Sequence, residues 1–184
     1  MEPRLTTSAL VLHNLGIAAG FGGTLFGRLS LEPAVGVIED PLERGRVLDA
    51  AWQRYKWVNA ASLGAVALTW FAGRTKLSGR ELGKNGRRLT IAKDIFVGTN
   101  VVATLVNVVA GMVLHQHEAG AIPLDRNRTV TPEASAQAKK LQPLLRIFGT
   151  VNLVAAAGVI VLTSWLNNKA SSSFRWNFLS RLLP

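Results

Sequence analysis

The chain of 184 residues contains no cysteine. That excludes disulfides, thiol nucleophiles and cysteine-ligated iron–sulfur clusters, and says little more about compartment. Charge is also scarce. Asp, Glu, Lys and Arg make up 17% of residues, against about 25% in an average soluble domain. The scarcity is local: no charged residue occurs in Leu5–Gly27 (23 residues), Trp57–Gly73 (17), Ile95–His117 (23) or Ile147–Asn168 (22). A bilayer core takes about 20 mostly apolar helical residues to cross. Four such windows argue against a soluble enzyme domain, a disordered tail protein and a disulfide-stapled secreted domain. Acidic residues are missing from all four, which argues against a pump or cation-coupled transporter, because ionisable groups at depth usually mark such pathways. There is no helical zinc-protease motif and no phosphate loop.

The chain as a whole is 48% apolar, with a mean hydropathy of +0.23. The windows predict an all-α protein. It is a four-transmembrane-helix bundle forming one integral membrane domain over 1–184, with helices near 5–27, 57–73, 95–115 and 147–167. The first window exceeds the usual length of a signal-peptide core, and its small-residue triplet Ala18-Ala19-Gly20 lies inside the apolar stretch. It therefore reads as a retained helix.

The formal net charge is +10, and its distribution predicts orientation. The loop between the second and third windows holds Arg74, Lys76, Arg80, Lys84, Arg87, Arg88 and Lys93 against Glu81 and Asp94. Together with the two termini, that side carries 11 basic and 3 acidic residues; the other carries 10 and 8. Lys and Arg concentrate in short cytoplasmic loops. Both termini are therefore expected in the cytoplasm, with the basic loop as a topology signal attracted to anionic lipid rather than a nucleic-acid site.

The outer loops carry helix-start signals. Asp40-Pro41-Leu42-Glu43 supplies an N-cap, a proline at the first helical position and an acid at the third. The apolar face Val47, Leu48, Ala51, Trp52 and Tyr55 then runs on into the second window. Thr131-Pro132-Glu133 reads as a similar start, after which Pro143 either kinks the helix or marks a second start. These segments predict helical extensions on the outer side. The tail Phe174–Arg181 mixes aromatic and basic residues, and reads equally as an interfacial segment or a frayed terminus.

Each window has a stripe of small or polar residues at helical spacing. The stripes are His13, Gly16, Gly20, Gly23 and Gly27; Asn59, Ser62, Thr69 and Gly73; Asn100, Thr104, Asn107 and Gly111; and Gly149, Asn152 and Ala156 below Arg146. Small residues let helices approach in lipid, and amides bond across the interface, so the stripes suffice as a packing seam. A second reading is a pocket formed by Asn59, Asn107, Asn152 and Arg146, holding a quinone, a lipid head group or another small polar ligand. Asn59, Asn152 and Arg146 are expected in the outer half, Asn107 near the middle, and His13, Asn14, Thr69 and Asn100 in the inner half. His13 is also a candidate pigment or haem ligand. His115-x-His117 with Glu118 is a poor metal site, since residues two apart do not share a helix face. No metal site is assigned, and the cofactor is left open.

Two stretches carry a family resemblance. The first is Leu12-His13-Asn14-Leu15-Gly16, then Gly22-Gly23-Thr24-Leu25-Phe26-Gly27-Arg28-Leu29 and Glu32-Pro33-Ala34. The second is Leu141 to Arg146 followed by Phe148-Gly149-Thr150-Val151-Asn152-Leu153. They resemble the transmembrane-protein-205-like family of small four-helix membrane proteins, which implies four helices and no settled chemistry. The glycine-rich first helix followed by a proline also resembles the anthrone-oxygenase-like membrane family. That implies a cofactor-independent oxygenase, but no catalytic motif here lets residues be carried over. The functional expectation is an accessory or scaffold subunit of a membrane complex, more a non-enzyme than an enzyme, partnered by the bilayer and by another membrane protein or itself. The alternative is a binder or converter of a small lipophilic ligand.

Overall fold

The computed structural model describes residues 3–74, 83–117 and 122–172. These form α1 (Pro3–Phe26), α2 (Glu32–Ala34), α3 (Pro41–Arg74), α4 (Gly83–His117) and α5 (Ala136–Ser172), and the fold is all-helical. The first helix does not end at Gly27. A π-helical turn, Gly27–Leu31, carries it into α2 and a 3₁₀ turn, Val35–Val37, with the Glu32 amide bonding the Gly27 carbonyl. Pro33 sits in the first turn of α2, where its missing N–H costs no helical bond.

Among the described residues, three helical stretches are long and apolar enough to cross a membrane: Ser8–Val37, Lys84–His117 and Ala136–Asn168. The expected fourth, within α3, is not shown by length and composition. Its uncharged stretch of 17 residues is diluted by Asn59, Ser62, Thr69, Gly64 and Gly73. In the three apolar stretches, only 17–28% of the most hydrophobic window is buried. Leu12, Leu15, Ile95, Val102, Leu105, Ile147 and Val154 all point outward. A helix apolar on its outside as well as its inside is the pattern of a membrane span.

Packing follows the stripes. α1 lies along α3 and α4 along α5, while α3 and α4 scarcely touch. A Cβ on Gly16 would come within 2.9 Å of the Ser62 carbonyl oxygen, so glycine sets the α1–α3 distance there. One face of Gly27 holds the Trp52 ring, 2.5 Å from where a Cβ would stand. Ile17, Val66, Val97 and Val159 join all four long helices in an apolar core. Asn14, next to His13 in the sequence, faces outward.

The connections at the far end from the chain termini form a cap. Asp40 Oδ1 accepts the Leu42 amide at 2.9 Å, and Pro41 opens α3, which runs unbroken to Arg74 as expected. Arg44, 2% exposed, donates to the carbonyls of Ile38, Glu39 and Leu124, stitching the first connection to the second. The second start signal shifts. Thr131–Ala134 is a turn, and Ser135 caps α5 by accepting the Ala138 amide at 3.0 Å. Pro143 lies inside α5 and starts no new helix. Lys84, Arg87, Arg88 and Lys93, read from sequence as loop residues, belong to α4. The basic segment 75–82, Glu118 and the tail Phe174–Arg181 lie outside the described residues.

Candidate functional site

At the cap end, among the ends of α1, α3, α4 and α5 and the connections beside them, lies a cavity of about 280 Å³. Contact between α3 and α4 is sparser than within either helix pair. All four pocket residues expected from the sequence, Asn59, Asn107, Asn152 and Arg146, line it. They do not play equal parts. Asn152 is buried, and its amide donates to Thr104 Oγ1 at 2.6 Å, while Asn100 Nδ2 donates to the Asn152 carbonyl at 3.1 Å. That trio ties α4 to α5. Asn107 differs: its Oδ1 is buried and has no hydrogen-bond partner. An unmet buried amide oxygen costs about 1–3 kcal/mol and calls for a donor from a ligand or water.

The lining also contains charged residues that sequence reasoning left out of the site. Arg28 reaches Glu32 at 3.5 Å across the π-helical turn, and Arg128 reaches the same carboxylate at 3.1 Å. Arg28 also donates to the carbonyl of Arg146 at 3.1 Å, linking the end of α1 to α5. Its guanidinium lies against Gly149, where any Cβ would collide with it. Asp49 meets His115 at 3.1 Å on the rim. The signal for Arg28 was present in the sequence: Arg28 and Glu32 stand four apart just beyond the glycine stripe. Leu48, Trp52, Met112, Leu114 and Leu145 supply apolar wall. A mostly apolar cavity with a few convergent polar groups is the usual form of a small-molecule site.

His13 lies elsewhere, near the opposite end. It is 5% exposed, with Nδ1 at 2.7 Å from Thr69 Oγ1 and Nε2 at 3.2 Å from Lys93 Nζ. Thr69 Oγ1 donates to the Ala65 carbonyl. One proton arrangement satisfies every group: Lys93 donates to Nε2, Nδ1–H donates to Thr69, and Thr69 donates to the backbone. Lys93 Nζ also sits 4.2 Å from the Trp70 ring centroid, and Trp70 Nε1 donates to Asp94 at 2.8 Å. With both ring nitrogens of His13 engaged, an axial bond to a macrocycle would require Lys93 to withdraw. His117 Nδ1 lies 2.8 Å from the carbonyl of Val113 in its own helix, while His115 turns to Asp49. Among the described residues no group of three metal-ligating side chains is present.

No family model matches the chain, and neither curated proteins nor solved structures give a match.

Proposed function

We propose that this is an integral membrane protein that binds a small lipophilic ligand in the cap-end cavity. Asn107, which lines a cavity walled by Leu48, Trp52 and Met112 and keeps a buried Oδ1 without a partner, carries the reading. The chain crosses the bilayer four times, with α3 as the fourth span over 57–73. Outward-facing Trp57, Val58, Leu68 and Phe71 support that crossing. The basic excess at the end bearing the termini supports their cytoplasmic placement. An accessory or scaffold role rests on the small-residue stripes, the helical cap and the lack of a catalytic motif in the sequence. Gly16 and Gly20 of the stripes pack on α3, and Thr104 bonds Asn152 between α4 and α5, so much of that surface is used within the chain and the ligand reading has the stronger support.

The absence of cysteine allows a direct test. Leu48→Cys places one thiol on the cavity wall, and Gln116→Cys places one on an exposed face of α4. A monoacyl amphiphile should slow maleimide labelling of the first and leave the second unchanged. Equal labelling of both, with and without amphiphile, would remove the reading.

A further inference from the structure

The charge of the same cavity specifies more than a lipophilic ligand. Its described lining holds four cationic side chains, Arg28, Lys56, Arg128 and Arg146, against two carboxylates, Glu32 and Asp49. Glu32 lies between Arg28 and Arg128, so one carboxylate faces two guanidinium groups. Arg146 adds a third guanidinium at the mouth, where it is exposed. An excess of positive charge around an apolar-walled cavity favours an anionic head, which guanidinium groups bind by charge-assisted hydrogen bonds. The unmet Oδ1 of Asn107 asks in addition for a hydroxyl or amine donor. Leu48, Trp52, Met112, Leu114 and Leu145 give the cavity an apolar wall against which an acyl chain can lie.

We infer that the cavity takes the head group of an anionic, hydroxyl-bearing, single-chain amphiphile, a phosphodiester or carboxylate, with Arg146 and Arg128 on the anion and Asn107 on the hydroxyl. This rests on the cavity being a ligand site. The anion comes from a lipid and not from free phosphate, because the apolar wall accommodates a chain.

The test uses the full chain in a neutral detergent, with binding read by native mass spectrometry and by fluorescence of Trp52 on the cavity wall. The probes are lysophosphatidylglycerol, lysophosphatidylcholine of equal chain length, and inorganic phosphate. Lysophosphatidylglycerol should bind about tenfold more tightly than the zwitterionic lipid, the worth of one charge-assisted bond. Arg146→Gln should erase most of that preference, weakening lysophosphatidylglycerol several-fold more than lysophosphatidylcholine, whose phosphodiester is offset by its own ammonium. Asn107→Leu should weaken the glycerol-bearing lipid more than a fatty acid. Equal retention of both lysolipids, unaffected by Arg146→Gln, would overturn the inference and leave the cavity a ligand site. Full displacement of the lipid by phosphate would overturn the lipid source. If no probe were retained and Trp52 emission never moved, the ligand site would fall as well.

Discussion

At the end of the bundle where α1, α3 and α4 meet around His13, both ring nitrogens have partners and Lys93 is covered by the Trp70 ring. At the cap end, Asn107 keeps a buried oxygen without a partner, beside a cavity with more cationic than anionic groups. Both ends place polar groups between helices of the same apolar character. One end is complete within the chain, and the other leaves an unfilled volume and an unmet acceptor. A closed polar network fixes helix register, whereas an open one leaves donors and acceptors for something else. Substitutions at the two ends should therefore have opposite signatures.

The largest effect is expected at the closed end. His13→Leu removes the acceptor for a lysine that is 3% exposed, and should lower unfolding free energy by about 2–3 kcal/mol. Adding Lys93→Met should restore most of the loss, because an apolar pair of similar size needs no partner. Denaturation in mixed micelles measures both. If the double variant is as unstable as the single one, the network is not what His13 supports.

Gly16→Leu comes next. The α1–α3 approach leaves no room for a side chain against the Ser62 carbonyl, so overpacking should cost about 1–3 kcal/mol. At the cap end, Asn107→Leu should be neutral or stabilising by up to about 1 kcal/mol, since it removes an unmet acceptor. Ligand retention should nevertheless fall. A stability loss equal to that of His13→Leu would end the contrast between the two ends.

The smallest effect is a pH dependence confined to the cap. Asp125 accepts the Thr129 amide at 2.7 Å and the Thr129 hydroxyl at 2.8 Å. These bonds hold its carboxyl below the ordinary carboxylate value. A depressed folded pKa contributes stability above the unfolded pKa and loses it as pH falls through the folded one. The 125–129 turn should thus be pH-independent near neutrality and loosen only below about pH 4. Thr129→Ala should move that loosening to higher pH, followed by amide exchange in the turn.

The sequence made the helical architecture legible because uncharged length is the main requirement of a bilayer crossing. Asp40-Pro41 announced the start of α3 because capping chemistry is local. The α5 start was misplaced by four residues because Ser135, rather than Thr131, bonds an amide of the first turn. The stripes identified Asn59, Asn107 and Asn152 as neighbours, since helical periodicity survives without coordinates. It does not reveal which amide is already satisfied, and only the contact with Thr104 separates Asn152 from Asn107. Arg28 and Glu32 escaped because a charge just past an apolar window reads as loop, whereas the Gly27–Leu31 turn continues the helix through them; Arg128 escaped because it reaches Glu32 from a connection 96 residues away. Lys93 escaped for the same reason: a charge just before an apolar window looks like its boundary, but α4 carries it inward against His13.

Extraction of the full-length protein from its own membrane into a gentle neutral detergent, followed by native mass spectrometry, tests the cavity most directly. The account predicts one stoichiometric small amphiphile on the unaltered chain and its loss from Asn107→Leu at equal folding. The same bound mass on both chains, or none on either, would contradict it.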